Sequence, residues 1–384
     1  MINTVNANKR FEVLDSWRGI CAVIVLLGHF VTFFRNGFSM GPLVGNNYIF
    51  VDFFFVLSGF VITRNYWEKI GTKTAAVKFA IVRWGRVYPL HLFILIMFIA
   101  LEFARSRIEG DAMFGNAAKS LESLIGNLFL IHSMGFYSML TWNFPSWSIS
   151  VEFYTYLAFA LLLLLCKPRY MTKMAAAIAL IAPPALFLFA HVQETDITYD
   201  FGFIRCLGGF FAGVLVCRLY SVSADRLETI GKTHATLLEI LMLVAVYLFA
   251  ANVDNTYLSY ASPYLFSVCV LVFAIEGGII SSIMKHKIFL FFGALSYSLY
   301  MTHAFVQRVM INGIDIVEKH IGLDMVTKGT NIEDSTDIAR YFEVSSPLAW
   351  GLTLVMLVAV IIFSTLTYYF VEKPSYKWIK NRAG

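Results

Sequence analysis

Apolar residues in this chain come in long, nearly unbroken runs, without the two-residue alternation of a strand or the narrow stripe of a soluble helix. Runs long enough to cross a bilayer cover 12–34, 48–65, 87–105, 147–166, 173–191, 201–219, 235–252, 260–281, 288–310 and 346–371. A span needs about 20 apolar residues, so the pattern predicts an all-α, polytopic bundle of about ten transmembrane helices. A further run, 121–134, is shorter and interrupted by Gly126, Asn127 and His132, which predicts a re-entrant or interfacial piece. One connection, about 312–345, is long, and it reads equally as a functional loop or a disordered spacer. No internal repeat or low-complexity tract interrupts the chain, and no appended soluble domain fits. A single membrane domain over 1–384 is expected.

Charge orients the bundle. With a cytoplasmic N-terminus, Lys9 and Arg10, the 64–86 loop, Lys167, Arg169 and Lys173, Arg218, Arg226 and Lys232, Lys285 and Lys287, and Lys373, Lys377, Lys380 and Arg382 all fall inside. That is roughly twenty of the 30 basic residues against about seven outside, the bias that insertion imposes. Counting 121–134 as a full span would invert every later loop and remove the bias. The outer connections are acidic by comparison, with Glu194, Asp196 and Asp200 in one and Asp315, Glu318, Asp324, Glu333, Asp334, Asp337 and Glu343 in another. Both termini are therefore expected in the cytoplasm.

Composition agrees: 58% hydrophobic and 14% charged residues, with a mean hydropathy of +0.69, exceed what one soluble core could bury. A net charge of +5 would suggest nucleic acid in a soluble chain, but here the basic residues flank apolar runs, so no nucleic-acid partner is expected. The first run is too long for a signal peptide and has no small-residue cleavage site after it, so its helix is expected to be retained. Cys21, Cys166, Cys206, Cys217 and Cys269 show no paired spacing and indicate neither a disulfide framework nor a zinc site.

Ionisable residues inside apolar runs carry the candidate chemistry, because a charge held in hydrocarbon is costly and by default marks a functional site. Arg18 and His29 lie eleven residues apart in the first run, so Arg18, Ala22, Val25 and His29 share one helix face. At about 1.5 Å per residue, His29 stands about 24 Å from the inner end of its helix and His303 roughly 22 Å up segment nine. Asp52 and Glu152 sit about one turn in from the outer ends of segments two and four. All four fall in the outer half of the bilayer. Ser148, Glu152 and Thr155 share one face of segment four, and Ser296, Tyr300, His303 and Gln307 one face of segment nine. Such faces point into a protein-lined cavity, and histidine beside a carboxylate is a base-and-orienter arrangement. A buried structural network would use the same residues. On the opposite side Arg83 and Arg86 stand three apart where the basic loop enters segment three, with Arg18 near them; clustered arginines bind phosphates, and topological anchoring also produces them. Arg205, near the outer end of segment six, suggests a carboxylate partner or a substrate contact. Gly209 and Gly213 read as helix packing, and Glu239, Glu276 and Arg308 as snorkelling or interhelical pairing.

Taken in order, the motifs resemble the membrane acyltransferase type 3 family, which includes O-antigen and exopolysaccharide acetylases. The resemblance rests on LDSWRGICAVIVLLGH at 14–29, VDFFFVLSGFVITR at 51–64, RWGRVYPLHL at 83–92, PSWSISVEFYTYL at 145–157, RCLGGFFAG at 205–213, FGALSYSLYMTHAFV at 292–306 and YYFVEKPS at 368–375. Departures are modest: DSWRGI replaces the commoner DGLRGI, and VEF the commoner VEE. The resemblance implies transfer of an acyl group, usually acetyl from the cosubstrate acetyl-CoA, to a sugar hydroxyl at the outer face. It makes Arg18 and His29 essential and implicates Arg83 and Arg86 in handling the donor. Some relatives carry a fused esterase-like domain, which is not expected here.

The expected mechanism places acyl-CoA phosphates at Arg83 and Arg86, with Arg18 near them, and threads the thioester toward His29. His29 acts as general base with Glu152 or Asp52 orienting it, or as a transient acyl carrier, while Tyr300 or Ser148 serves the oxyanion. Ser148, Tyr300, His303 and Arg205 are the expected substrate contacts. No permanently bound cofactor or metal is expected. The expected partners are acyl-CoA, a glycan or lipid-linked sugar and the bilayer of a bacterial inner membrane. The acceptor sugar and the oligomeric state are not encoded legibly. A proton-coupled exporter would also use intramembrane His and carboxylate groups, but such transporters show paired repeats and broken helices, and neither is found.

Overall fold

Among the described residues, ten helices are long and apolar enough to cross a membrane. They are α1 (Glu12–Val31), α2 (Asn47–Tyr66), α3 (Lys73–Ile108), α4 (Phe144–Leu165), α5 (Arg169–Phe189), α6 (Gly202–Leu227), α7 (Lys232–Asn252), α8 (Tyr257–Ile275), α9 (Lys287–Ile321) and α10 (Ser346–Ala383). The computed structural model describes residues 10–35, 37–110, 112–166, 168–190, 196–254, 256–322, 324–330 and 338–383. Lys9, Lys167, Glu194, Glu333, Asp334 and Asp337, read above for topology, lie outside the described residues.

Two elements outrun the apolar runs that predict them. Helix α3 starts at Lys73, where Thr72 caps it by accepting from the Ala75 N–H at 3.2 Å, and stops at left-handed Gly110. The basic stretch expected as a loop is therefore largely helical, and Arg83 and Arg86 stand within the helix. Lys, Arg and Ala favour helix, and hydropathy measures membrane depth rather than helix length. Helix α9 likewise continues past 310 to Ile321. The remainder of the expected long loop contains an antiparallel hairpin, β1 (Val326–Thr330) and β2 (Ile338–Phe342), in the register Val326 to Phe342. Glu318 at the end of α9 holds it by accepting from the Met325 and Val326 N–H groups at 2.8 and 3.1 Å. The Phe342 N–H also donates to Phe33 at the end of α1, at 2.7 Å.

The 121–134 piece does not span. It forms a helix over Leu121–Leu128, capped by Ser120 Oγ accepting from the Ser123 N–H at 3.1 Å, and then irregular backbone. Leu130 within it and Trp142 just after it adopt positive φ of 56° and 50°, conformations that a bulky residue holds only where its surroundings fix it.

Lipid gives apolar side chains no reason to leave it, so close contact, not hydrophobicity, joins such helices. Gly59 of α2 faces the Phe210 carbonyl of α6, and Gly213 of α6 faces the Val56 carbonyl of α2; a Cβ at either would overlap the other backbone. Gly209 meets Phe55 in the same seam, so the Gly209 and Gly213 pair serves packing. Glu239 and Glu276 are paired between elements: Glu239 accepts from the Gly278 and Ser281 N–H groups at 3.0 and 3.1 Å, and Glu276 accepts from the Val13 N–H and meets Lys285.

Candidate active site

A second glycine seam sets the site. Gly19 of α1 and Gly293 of α9 pack backbone against backbone, where a Cβ on Gly19 would lie 2.6 Å from the Gly293 nitrogen. The two helices run in the same direction from that contact. Ten residues on from each glycine are His29 and His303, both about 15 Å further along. The seam therefore delivers the two imidazoles to one height, with His29 Nδ1 2.9 Å from His303 Nε2.

The protonation pattern of this pair follows from its far end. His303 Nδ1 lies 3.2 Å from the Leu299 carbonyl, which can only accept, so that nitrogen carries the proton. Neutral His303 then presents Nε2 as an acceptor, and His29 Nδ1–H donates to it. The basic lone pair of His29 is left on Nε2, which has no hydrogen bond to a protein group among the described residues. His303 is fully buried, whereas His29 is partly accessible. Phe144 packs edge-on against both rings, at 4.8 and 5.9 Å, and Tyr300 against His303 at 5.9 Å.

On one side of the pair is a cavity of about 150 Å³ that gathers Arg18, Arg83, Arg86, Glu152, Ser148 and Tyr300. The three arginines differ in commitment. Arg86 is ion-paired with Glu372, whose side chain is 1% exposed, and lies over the Tyr297 and Tyr376 rings. Among the described residues Arg18 has one ion-pair contact, a long 3.7 Å to Asp15. Arg83 lies over Tyr66 and Tyr156, with a buried Nε that lacks a hydrogen-bond partner. Ser148 Oγ donates to the Tyr300 oxygen at 3.0 Å, which leaves the phenolic proton for another acceptor.

On the other side is a cavity of about 890 Å³, between the far ends of α1, α3 and α9, the 112–119 segment and the hairpin. Phe144 and Ala304 line it. Tyr300 lines one cavity and Ala304 the other, on either side of His303 along α9, so the histidine pair lies at a height between the two spaces, although neither imidazole is among the described residues that line them.

The carboxylates expected beside His29 have other partners. Asp52 is fully buried and forms a bidentate pair with Arg205, at 2.9 and 3.1 Å, while accepting from Ser262 Oγ at 2.6 Å. Arg205 also donates to the Tyr48 and Ile197 carbonyls and covers Trp147. Asp52 therefore hydrogen-bonds Arg205 and not His29, and Arg205 has the carboxylate partner expected for it: both are held in a buried lock joining α2, α6 and α8. Glu152 accepts from Ser58 Oγ and from Tyr156 Oη, the latter at 2.5 Å, and faces the arginine-lined cavity. It too does not hydrogen-bond His29. Each carboxylate stands on the helix that was expected to carry it, but lateral rotation turns it away from His29.

Three further groups escaped the sequence reading. Glu372 sits in a π-helical turn of α10 over Tyr368–Glu372, a distortion that often accompanies function, and joins Arg86 to Ser298 Oγ at 2.6 Å. Its motif was visible, but its partner was not. Glu102 pairs with Arg105 and Lys119 at the larger cavity. His91 and His132 stack at 5.6 Å, and His132 Nε2 lies 3.0 Å from Ser146 Oγ, which donates to the Asn143 carbonyl. Asn143 Nδ2 donates to the Met301 carbonyl at 3.0 Å, so this chain of polar groups ties the turn carrying Phe144 to α9. No cluster of three or more His, Cys, Asp or Glu suited to a metal ion occurs among the described residues.

An acyltransferase domain family model matches residues 11–372. Among curated proteins, the chain is 34% identical over 93 residues to Protein 2 in the picA locus of Rhizobium radiobacter, covering 24% of this chain and 46% of that protein. It is 32% identical over 123 residues to Acyltransferase MdmB of Streptomyces mycarofaciens, covering 29% of this chain and 27% of that one. The matches thus span less than half the length of either relative. No solved structure matches the chain. With nearly its whole length matched, the chain belongs to the acyltransferase family and is a multi-pass membrane protein.

Proposed function

We propose that this membrane acyltransferase moves an acyl group, most simply acetyl, from acyl-CoA held at Arg18 and Arg83 to a hydroxyl of a carbohydrate in the larger cavity. The observation that supports the reading is the position of the His29–His303 pair, at a height between an arginine-lined cavity and a larger polar one. Arg18 to His29 is about 16 Å of helix, a distance for an extended phosphopantetheine arm to cover. Arg83, which lies over two tyrosine rings and has no ion pair among the described residues, suits a phosphate; Arg86 is tied to Glu372 and shapes the wall. The clustering of basic residues on this side supports a cytoplasmic donor side, with the larger cavity opening to the outer face of a bacterial inner membrane and a surface glycan or lipid-linked sugar as acceptor.

In the reaction, His29 Nε2 takes the proton of the acceptor hydroxyl as its oxygen attacks the thioester carbonyl. His303 Nε2 accepts from His29 Nδ1–H and stabilises the imidazolium that forms. The Tyr300 hydroxyl donates to the developing oxyanion, with Ser148 holding its oxygen. The C–S bond breaks, CoA leaves as thiolate, and the proton on His29 passes to it. The products are the O-acyl sugar and free CoA. Glu152, hydrogen-bonded within the donor cavity, holds Ser58 and Tyr156 in place.

Mass spectrometry of surface glycans from cells with and without the protein tests this reading. Loss of one acyl mass from a defined sugar is expected in the deletion strain. The same loss is expected with His29→Ala, and acylation at the wild-type rate by correctly inserted His29→Ala protein refutes it.

A further inference from the structure

His29 needs more than its hydrogen bond to keep a fixed aim. Among the described residues its side chain has one such bond, from Nδ1 to His303 Nε2 at 2.9 Å. A ring tethered at one nitrogen swings about that bond, and the outer torsion of a histidine has broad wells. A general base, in contrast, has to sit within about 3 Å of the proton it takes. Phe144 supplies the second restraint. Its ring stands edge-on to His29, 4.8 Å away at 87°, and edge-on to His303, 5.9 Å away at 81°. The two imidazole planes lie within 6° of each other, so one phenyl ring blocks the swing of both.

The turn that carries Phe144 is held more firmly than a helix start requires. Asn143 and Ser146 bracket it, and neither side chain caps the helix that follows, the common use of Asn and Ser at such a position. Asn143 Nδ2 instead donates to the Met301 carbonyl at 3.0 Å, two residues before His303 on α9. Ser146 Oγ donates to the Asn143 carbonyl at 2.7 Å and meets His132 Nε2 at 3.0 Å. His132 stacks on His91 of α3 at 5.6 Å, with the planes 5° apart, and His91 Nε2 donates to the Asn127 carbonyl at 3.0 Å. Asn127 Nδ2 returns to Thr141 Oγ1 at 2.8 Å. His91, Asn127, His132, Asn143 and Ser146 are all buried. Buried polar networks rigidify what they join, and this one joins α3 and α9 to a single phenyl ring.

We infer that Phe144 is a positioning residue for His29, and that His132, Ser146 and Asn143 act through it. This rests on the acyl-transfer reading above and adds to it the groups that keep the base on line. Asn143 fixes Phe144 to the stretch of α9 that presents His303, so the phenyl ring and the acceptor of the His29 Nδ1–H move as one body. His132 holds the same turn from the side of α3. Release of either anchor lets Phe144 withdraw, and His29 Nε2 then samples directions away from the acceptor hydroxyl. The effect falls on turnover and not on donor binding, because none of these four residues lines the arginine-bearing cavity.

Full-length protein in nanodiscs is supplied with acetyl-CoA and with surface glycan extracted from cells lacking the protein, and release of CoA thiol is followed. Phe144→Leu keeps an apolar side chain at a partly exposed position, so it is expected to retain the wild-type melting temperature. Its kcat should fall roughly ten-fold with the KM for acetyl-CoA unchanged, and Phe144→Tyr should stay close to wild type. His132→Leu should reproduce that fall per folded molecule. His132→Gln should recover most of it, because a glutamine amide reaches the Ser146 oxygen and can donate or accept there. A second readout needs no turnover: carbethoxylation of His29 by diethylpyrocarbonate, read by peptide mass spectrometry, should quicken in both leucine variants as the ring loses its cover. Wild-type kcat and labelling in Phe144→Leu overturn the inference. So does a change confined to the KM for the glycan, which makes Phe144 an acceptor contact. Equal kcat per folded molecule with leucine and glutamine at 132 overturns the role of His132. Labelling that responds as expected in a protein that never consumes acetyl-CoA refutes the acyl-transfer reading alone.

Discussion

Replacing His303 by leucine is expected to slow acyl transfer while leaving the KM for acyl-CoA unchanged. In the structure His303 offers His29 an acceptor 2.9 Å from Nδ1, and it is not among the residues that line the arginine-bearing cavity. When His29 becomes cationic in the transition state that hydrogen bond becomes charge-assisted, and such bonds are worth about 1.5–3 kcal/mol. At about 1.4 kcal/mol per decade, the loss in kcat is roughly ten- to 150-fold. Removing the base itself, in His29→Ala, is expected to cost about 10²–10⁴-fold. Glutamine at 303 offers an amide oxygen to the same Nδ1–H, so His303→Gln should recover much of what leucine loses. The assay is release of free CoA thiol by purified protein in nanodiscs with saturating acceptor, alongside a thermal melt to correct for folded protein. Wild-type kcat in His303→Leu refutes the relay. A loss equal to that of His29→Ala, with no rescue by glutamine, would instead make His303 the primary base.

The two helical arginines should separate by phenotype. Arg83→Gln is expected to raise the KM for acyl-CoA with a normal melting temperature, whereas Arg86→Gln strands the buried Glu372 and should destabilise the fold by about 3–5 kcal/mol, seen in melting and in membrane yield. Asp52→Asn removes a charge from a buried bidentate lock, so its melting temperature should fall while kcat per folded molecule stays near wild type; a selective fall in kcat would return Asp52 to the active site.

Much of the site was legible because its information is local. The Arg18 to His29 spacing, the Ser148 to Glu152 face and the Tyr300 to His303 face each follow from a single helix and its period. The same local reading overstated the loops: polar composition at 73–86 and 312–321 hid continuous helix, since a helix does not end where the hydrocarbon does. Glu372 stood just beyond one apolar run and Glu102 in the last turn of another, and a buried carboxylate is informative only once its cation is known.

The sequence alone determined how many runs are long and apolar enough to cross a membrane, where the basic residues cluster, and how far along its run each polar side chain lies. These quantities are sums of apolar burial and rise along one axis, and neither depends on a neighbour. The tertiary structure alone decided who faces whom. His29 meets His303 and neither carboxylate because Gly19 and Gly293 press α1 onto α9, 274 residues apart. Asp52 is turned to Arg205 in the seam where Gly59 and Gly213 draw α2 against α6. Rotation about a helix axis and the choice of packing partner arise from steric fit between distant segments, and no periodicity within one segment encodes them.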